Sequence, residues 1–167
     1  KVLVMRIFIA VLVLIFSFQS WTKADDIRDF EIEGMSIGDS ALDFFSKEKI
    51  KENKQPSQYP NDEYILYNFS DTMNLKIYDL LMISIKKNDM KYMISAVSGG
   101  IKYDNLDVCF KLKKDFNEDV SSIFNNVDNE EFEYKAQMDK TGESIMYATQ
   151  YYFESGDKMT ASCMDWS

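Results

Sequence analysis

The strongest pattern in this sequence is that of one long amphipathic helix. From residue 105 to residue 127, apolar residues recur at intervals of three and four, with Lys, Asp and Glu between them. This spacing predicts roughly six turns of helix with one apolar face, capped by Asp104 or Asn105. On both sides of the helix, the apolar residues change to the period of two that is typical of β-strands. The apolar face is predicted to contain Leu106, Cys109, Phe110, Lys113, Phe116, Val120, Ile123, Phe124 and Val127.

Three strands are predicted in each half of the chain. In order, they cover residues 64–69, 78–86, 91–103, 131–138, 144–153 and 158–166. Lys87-Asn88-Asp89 is a tight polar break, so the second and third strands should form a hairpin. Ser98-Gly99-Gly100 lies inside the third run and predicts a bulge or bend there. In the last strand, Met159, Ala161 and Cys163 share one face.

A first helix is predicted from about Ala41 to Glu52, after an extended segment over residues 25–33 and a turn at Gly38. Asp39 or Ser40 is suited to cap it. The order of elements is therefore α-βββ-α-βββ. It predicts an α+β fold with one antiparallel sheet of about six strands in two three-stranded meanders, and two helices packed on one face. Residues 25–167 are expected to form a single domain.

Residues 1–24 have the three parts of a secretory signal peptide. Arg6 precedes an apolar run over residues 7–18, and Thr22-Lys23-Ala24 has the small-x-small pattern of a cleavage site. Cleavage is predicted between Ala24 and Asp25. A retained anchor is the alternative, but roughly twelve apolar residues are short for a bilayer span, which needs about 20. No Cys follows the run to accept a lipid. A periplasmic or secreted location is expected.

The composition excludes several classes of function. The formal net charge is −9, and it becomes −12 when Lys1, Arg6 and Lys23 are removed with the signal peptide. Such a surface repels nucleic acid and anionic lipid, so neither nucleic-acid binding nor stable membrane insertion after cleavage is expected. The chain has no His, which is the commonest general base and transition-metal ligand. No cofactor is predicted.

The chain has two cysteines, Cys109 and Cys163. Cys109 lies on the apolar face of the long helix, and Cys163 lies on the apolar face of the last strand. In an oxidising compartment, a disulfide between them would tie the helix to the sheet. Two buried thiols are the alternative, because Cys packs as a small hydrophobe. A redox-active pair is disfavoured, since there is no Cys-x-x-Cys motif.

Two acidic segments are candidates for chemistry, and each has a simpler structural explanation. Asp104 and Asp107 could supply the paired carboxylates of a hydrolase, but the helix dipole also favours acids at a helix start. Residues 115–126 begin like a calcium loop, yet Val120 stands where the loop needs Gly and Asn126 where it needs Glu. Neither a catalytic site nor a metal site is predicted.

Aromatic residues are concentrated near the end of the second half. An exposed aromatic patch would mark a recognition surface. Alternation places Tyr151 and Phe153 on one face of their strand and Tyr152 on the other, so part of the set must belong to the core. The candidate patch contains Tyr147, Tyr151, Tyr152 and Phe153.

The segment from Ile27 to Asp43, together with Cys109 and the ending Cys163-Met164-Asp165-Trp166, resembles an uncharacterised family of small secreted Gram-negative proteins. The run over residues 34–40, Gly-Met-Ser-Ile-Gly-Asp-Ser, is its most specific part. The resemblance covers most of the mature chain and implies export but no activity. The Gly-x-Ser-Ile-Gly pattern is also loosely similar to the start of BamE-like outer-membrane-assembly lipoproteins, which implies a compatible α+β shape. The chain lacks their lipid-attachment Cys.

Together, these features favour an exported, non-catalytic binding or interaction protein of the cell envelope with an unidentified protein partner. A second hypothesis is a carrier that holds a small apolar ligand between the helices and the sheet. Its cavity would be lined by residues such as Phe44, Phe116 and Met159. The third is the carboxylate hydrolase described above. An interaction protein should combine a tight core with an exposed aromatic patch.

Overall fold

The computed structural model describes residues 27–56, 63–71, 73–124, 127–136, 139 and 141–166. The predicted signal peptide and its cleavage point between Ala24 and Asp25 lie outside these residues. Within them, a helix, three strands, a second helix and three more strands follow one another. The elements are α1 (Lys47–Glu52), β1 (Tyr64–Asn68), β2 (Leu80–Lys86), β3 (Ile94–Gly100), α2 (Leu106–Ile123), β4 (Asp128–Lys135), β5 (Ile145–Tyr152) and β6 (Lys158–Asp165).

The strands form two separate antiparallel sheets, β1-β2-β3 and β4-β5-β6. The α+β class and the two meanders are confirmed, but the described strands do not join into the single six-stranded sheet that was predicted. Each sheet packs against its own cluster of buried side chains. A period of two indicates which residues of a strand share a face, but it does not indicate which strand lies beside it.

The first sheet packs against a core to which α1 contributes Ile50. In this core, the rings of Phe45 and Phe69 stack with their centroids 3.9 Å apart. The helix predicted from Ala41 to Glu52 is instead divided into a 3-10 turn, Ala41–Asp43, and α1. Two caps explain the division, because Ser40 accepts a hydrogen bond from the Leu42 N–H and Ser46 accepts one from the Lys49 N–H.

The irregularity in the first sheet does not lie at the glycines where it was predicted. Gly99 and Gly100 are regularly paired residues of β3, and the register instead shifts between Ser84 and Ile85. The glycines serve close packing, because a Cβ atom on Gly99 would lie 2.6 Å from Cδ1 of Tyr78. The prediction of a bulge or bend at these glycines was therefore wrong, and the absence of a side chain at Gly99 is explained by the neighbouring Tyr78 ring.

The second sheet packs against α2, whose predicted position is confirmed, with Asn105 as its N-cap. Val120 and Phe124, with Tyr151 and Met159, belong to the buried cluster between them. Other predicted members of the apolar face are exposed, among them Ile123. The helix makes its main strand contact with β6, so only part of its apolar face is covered.

The segment over residues 27–40 connects the two cores, and it contains most of the run that carries the family resemblance. It begins with a 3-10 turn, Ile27–Asp29, where an extended segment was predicted. Phe30 meets Phe116 of α2 edge to face, with the ring centroids 5.8 Å apart. Met35, beyond the turn at Glu33 and Gly34, is fully buried in the core of the first sheet. Both turn residues have positive φ, 53° and 81°, so the turn reverses the chain between the two cores.

Glu33 fastens this turn to the loop before β2. Its carboxylate accepts hydrogen bonds from the backbone N–H groups of Ile77 at 2.8 Å, Lys76 at 3.0 Å and Tyr78 at 3.2 Å. These bonds, led by that from Ile77 and then that from Lys76, hold the pKa of Glu33 below its ordinary value. The ionised form is therefore the one that stabilises the folded chain.

We expect the stability of the protein to fall in acid partly through Glu33. Because its folded pKa is lowered, its contribution is fully present above the unfolded value of 4.5 and is lost as the pH falls through the folded pKa. The variant Glu33→Gln should be less stable than the parent at pH 7, with the difference shrinking towards pH 3. Urea midpoints at both pH values test this, with the exposed Glu31→Gln as the control. An unchanged difference at pH 3 would contradict it.

No helix in the described part of the chain has the length and apolar character needed to cross a bilayer.

Candidate functional site

One face of the second sheet is turned towards α2, and four contacts identify it. Cys109 of α2 is bonded to Cys163 of β6, which confirms the predicted disulfide. Phe110 meets Tyr147 edge to face at 5.1 Å, and the Asn117 Nδ2 donates to the Thr149 Oγ1 at 3.1 Å. Lys113 Nζ lies 3.9 Å from Glu131 Oε1. We call this side the helix face and the opposite side the outer face.

β4 places two acidic side chains towards α2 and its two aromatic side chains away from it, whereas an amphipathic strand usually turns its apolar side chains towards the packed neighbour. In the register, Glu131 lies opposite Thr149 and Glu133 lies opposite Tyr147, so these two acids are on the helix face. Phe132 and Tyr134, one residue further along in each case, are therefore on the outer face. The period of two in this segment was predicted from sequence, and β4 begins three residues earlier than expected, at Asp128. Its apolar side points away from the helix.

An apolar patch results on the outer face. Phe132 lies opposite Ala148, and Tyr134, Met146 and Met164 are aligned across the three strands. The rings of Phe132 and Tyr134 are 5.8 Å apart, and these side chains are 36% and 42% exposed. Trp166, which is 63% exposed, follows two residues after Met164. The outer patch is defined as Phe132, Tyr134, Met146, Ala148 and Met164.

β4 is also an edge strand with a strongly acidic character. All eight of its residues are exposed, and within the described residues β5 is its only strand neighbour. Glu131 accepts a hydrogen bond from Thr149 in addition to its contact with Lys113. The carboxylates of Asp128 and Glu133 make no hydrogen bond or ion pair with any described residue. The strand ends at one basic residue, Lys135.

The four aromatic residues predicted to form a patch are not brought together on the surface. Tyr151 and Phe153 are buried in the second core, 2% and 8% exposed. Burial, with Glu131 nearby, raises the pKa of Tyr151. Tyr147 lies against Phe110 on the helix face. Of the four, the outer face receives Tyr152, whose ring is 5.1 Å from Lys158 Nζ.

The outer patch is an exposed apolar surface that sequence reasoning missed. The alternation over residues 131–138 did place Phe132 and Tyr134 on a common face. Nothing in that alternation indicated that this face would lie away from the helix, because both faces of β4 contain side chains that a neighbour can contact. An open depression of about 480 Å³ lies beside the patch at the β4–β5 turn, lined by Glu133, Tyr134, Lys135, Gly142, Glu143 and Ile145.

The other candidate sites do not gather into a chemical centre. Asp107 donates its N–H to the Asn105 cap at 2.8 Å, so it has the place of an ordinary acid in a first helical turn, and Asp104 is the exposed residue before that cap. Among the described residues, no group of three or more Cys, Asp or Glu side chains is placed to hold a metal ion.

The residues suggested for a ligand cavity are also dispersed. Met159 is buried in the second core, and Phe116 packs against it from α2. Phe44 instead contacts Phe45, a member of the first core, and is 38% exposed. These three side chains therefore do not surround a common space.

No protein-family profile, curated protein or solved structure matches this chain. A function for it therefore has to be inferred from its own residues. In the part of the chain that the structure describes, the outer patch and the β4 edge are two features that packing within the fold does not account for, beside exposed apolar residues of α2 such as Val108 and Leu112.

Proposed function

We propose that this chain is an exported, non-catalytic binding protein of the cell envelope, periplasmic or secreted, which engages a protein partner through the outer face of its second sheet. The orientation of β4 carries the proposal, with Phe132 and Tyr134 outward and Glu131 and Glu133 towards the helix. A strand that served only the fold would bury its aromatic side chains, whereas Phe132 and Tyr134 are exposed.

The chemistry of the outer patch supports a protein partner. Aromatic residues and Met are enriched in the centres of protein–protein interfaces, where they supply large apolar area. Phe132, Tyr134, Met146 and Met164 belong to these residue types and lie in adjacent positions across the strands. Such a patch is small enough for the free protein to remain soluble, and it is apolar enough to anchor a partner.

Two observations support export. The signal-like segment over residues 1–24 is the address predicted from the sequence. The bond between Cys109 and Cys163 is of a kind that persists in oxidising compartments and is rare in the reducing cytosol. The resemblance to small secreted Gram-negative proteins agrees with this location and names no activity.

Site-specific crosslinking tests the proposal. The photoreactive residue p-benzoyl-phenylalanine replaces Tyr134 in the full chain, expressed in Gram-negative cells. A second variant has it at Leu112 of α2, whose exposure of 44% matches the 42% of Tyr134. We expect one discrete crosslinked protein from position 134 and none from position 112. No crosslink at position 134 in folded, oxidised protein would overturn the proposal, as would the same products from both positions.

The purified partner then gives a quantitative comparison. Phe132→Ala and Tyr134→Ala should each weaken its binding tenfold or more, which corresponds to about 1.4 kcal/mol. Val108→Ala and Leu112→Ala, which remove similarly exposed apolar side chains from α2, should leave the Kd within twofold. Equal losses from both pairs would place the binding surface elsewhere.

A further inference from the structure

We infer that the partner binds by adding an extended, basic segment to β4 as a fourth strand of the second sheet. This inference rests on the proposed function and identifies the kind of segment that the outer face receives. Opposite residues 131–134, Lys or Arg would alternate with apolar residues along the added segment. The apolar residues would contact Phe132 and Tyr134, and the basic residues would lie on the side of Glu131 and Glu133.

The chain itself covers part of each edge of the first sheet, along β1 and at the first residue of β3. Beside β1, the Asn68 N–H donates to the Asn53 carbonyl at 3.0 Å and the Gln55 N–H donates to the Leu66 carbonyl at 2.9 Å. At the start of β3, the Ile94 N–H donates to the Asp39 carbonyl at 2.8 Å. Unpaired strand edges invite pairing with other chains, and such coverage prevents it.

β4 has none of this coverage within the described residues. Its eight residues pair with β5 in an unbroken register, and no other described strand or bridge lies on its far side. It contains no Pro and no bulge, and its charged side chains are the device that limits pairing with a second copy of itself. At the opposite side of the same sheet, β6 lies against α2 and is bonded to it through Cys163. β4 is thus a long, regular edge whose outward backbone groups can receive a strand.

The charge of β4 indicates what kind of segment would pair with this edge. Four of its eight residues are acidic, Asp128, Glu130, Glu131 and Glu133, against the single basic residue Lys135. A second copy of this chain paired at the same edge would bring carboxylates next to carboxylates, and like charges across paired strands are destabilising. The net charge of −9 adds to this repulsion. A segment with Lys or Arg is attracted to the same edge, so a basic partner is favoured over a homodimer.

The two faces of β4 then specify the pattern within that segment. Side chains of paired strands on one face lie about 4.5–5.5 Å apart at Cβ, so a residue added opposite Phe132 or Tyr134 joins the outer patch. The residues between them point to the helix face, where Glu133 has no described partner and Glu131 is shared with Lys113. Opposite residues 131–134, alternating apolar and basic residues therefore suit both faces, while Asp128 and Glu130 on the outer face favour further basic residues.

A synthetic peptide with four Lys-Val repeats is the probe for this inference. Fluorescence anisotropy measures its binding to the oxidised full-length protein. Hydrogen exchange measures how far the bound peptide protects the backbone amides of β4. Two control peptides have the same composition. One has its four Lys and four Val in separate blocks, and the other keeps the alternating order but is N-methylated at every residue, so that neither edge of its backbone can donate hydrogen bonds. We expect the parent peptide to bind at least tenfold more tightly than either control and to protect β4.

Variants of the protein complete the test. Glu133→Gln and Asp128→Asn should each weaken the parent peptide severalfold, whereas Asp119→Asn, which neutralises an exposed acid on α2, should not. Equal binding of the blocked or methylated peptide would overturn strand addition, as would the absence of peptide binding. Concentration-dependent dimers that protect β4 without peptide would overturn the basic occupant in favour of a second copy.

The two proposals fail in distinguishable ways. If the crosslinked partner loses affinity with Phe132→Ala but is unaffected by Glu133→Gln and Asp128→Asn, the outer patch remains a binding surface and strand addition is wrong. If Tyr134 crosslinks no partner, the proposed function fails, and peptide binding would then report only the chemistry of an exposed acidic edge.

Discussion

Reduction of the bond between Cys109 and Cys163 is expected to lower the free energy of unfolding by about 4 kcal/mol. The bond closes a long loop, since the two cysteines are 54 residues apart in sequence. In the chain-entropy treatment, opening a loop of this length stabilises the unfolded ensemble by that amount, before any enthalpic contribution. For a domain of this size, the melting temperature should fall on the order of 15 °C.

Urea unfolding of the same protein with and without reductant measures this effect without changing any side chain. The double variant Cys109→Ala/Cys163→Ala provides a second comparison, and it should be insensitive to reductant. A loss below about 1 kcal/mol on reduction would show that the unfolded ensemble is already compact around these residues, contrary to the expectation from loop entropy. Because Cys163 is only 1% exposed, the double variant should also lose some packing energy.

Replacement of Tyr151 by Ala is expected to cost about 3–5 kcal/mol, because the side chain is 2% exposed and removing a buried aromatic ring leaves a cavity. Tyr134→Ala provides the matched control. It removes the same side chain from a neighbouring strand where the ring is 42% exposed, so its cost should stay within about 0.5–1 kcal/mol. Urea unfolding of the two variants gives both values.

This comparison also separates stability from binding at the outer patch. If Tyr134→Ala weakens partner binding while unfolding at nearly the parent urea concentration, its effect lies at the surface. A large destabilisation by Tyr134→Ala would mean that the ring supports the fold, and the patch would lose its main argument. Similar costs for the two variants would contradict the burial difference between β4 and β5.

Much of the local structure could be predicted from the sequence, because it follows from the spacing of neighbouring residues. The helical period over residues 105–127 located α2, and Asn105 is its cap as expected. The polar break at Lys87-Asn88-Asp89 correctly placed the hairpin between β2 and β3. The prediction of one continuous first helix was wrong, because Ser40 and Ser46 each cap the start of a separate short element.

The candidate site was predicted less well, because it depends on how strands and helix face one another. Tyr151 and Tyr152 were assigned to opposite faces correctly, but which face would be solvent-exposed could not be read from their alternation. The same holds for β4, where Glu131 lies on the helix face with its side chain 72% exposed, 3.9 Å from Lys113 and accepting a hydrogen bond from Thr149. The sequence does not reveal that these residues are adjacent.

The sequence by itself determined the α+β class, the alternation of helix and strands along the chain, and the two cysteines available to cross-link helix and sheet. Only the tertiary structure decided that the strands form two sheets, that residues 27–40 link two cores, and that Phe132 and Tyr134 face away from α2. Local periodicity is set by residues close in sequence. Which sheet a strand joins, and which of its faces meets the helix, are set by contacts between residues far apart in the chain, such as Cys109–Cys163 and Lys113–Glu131.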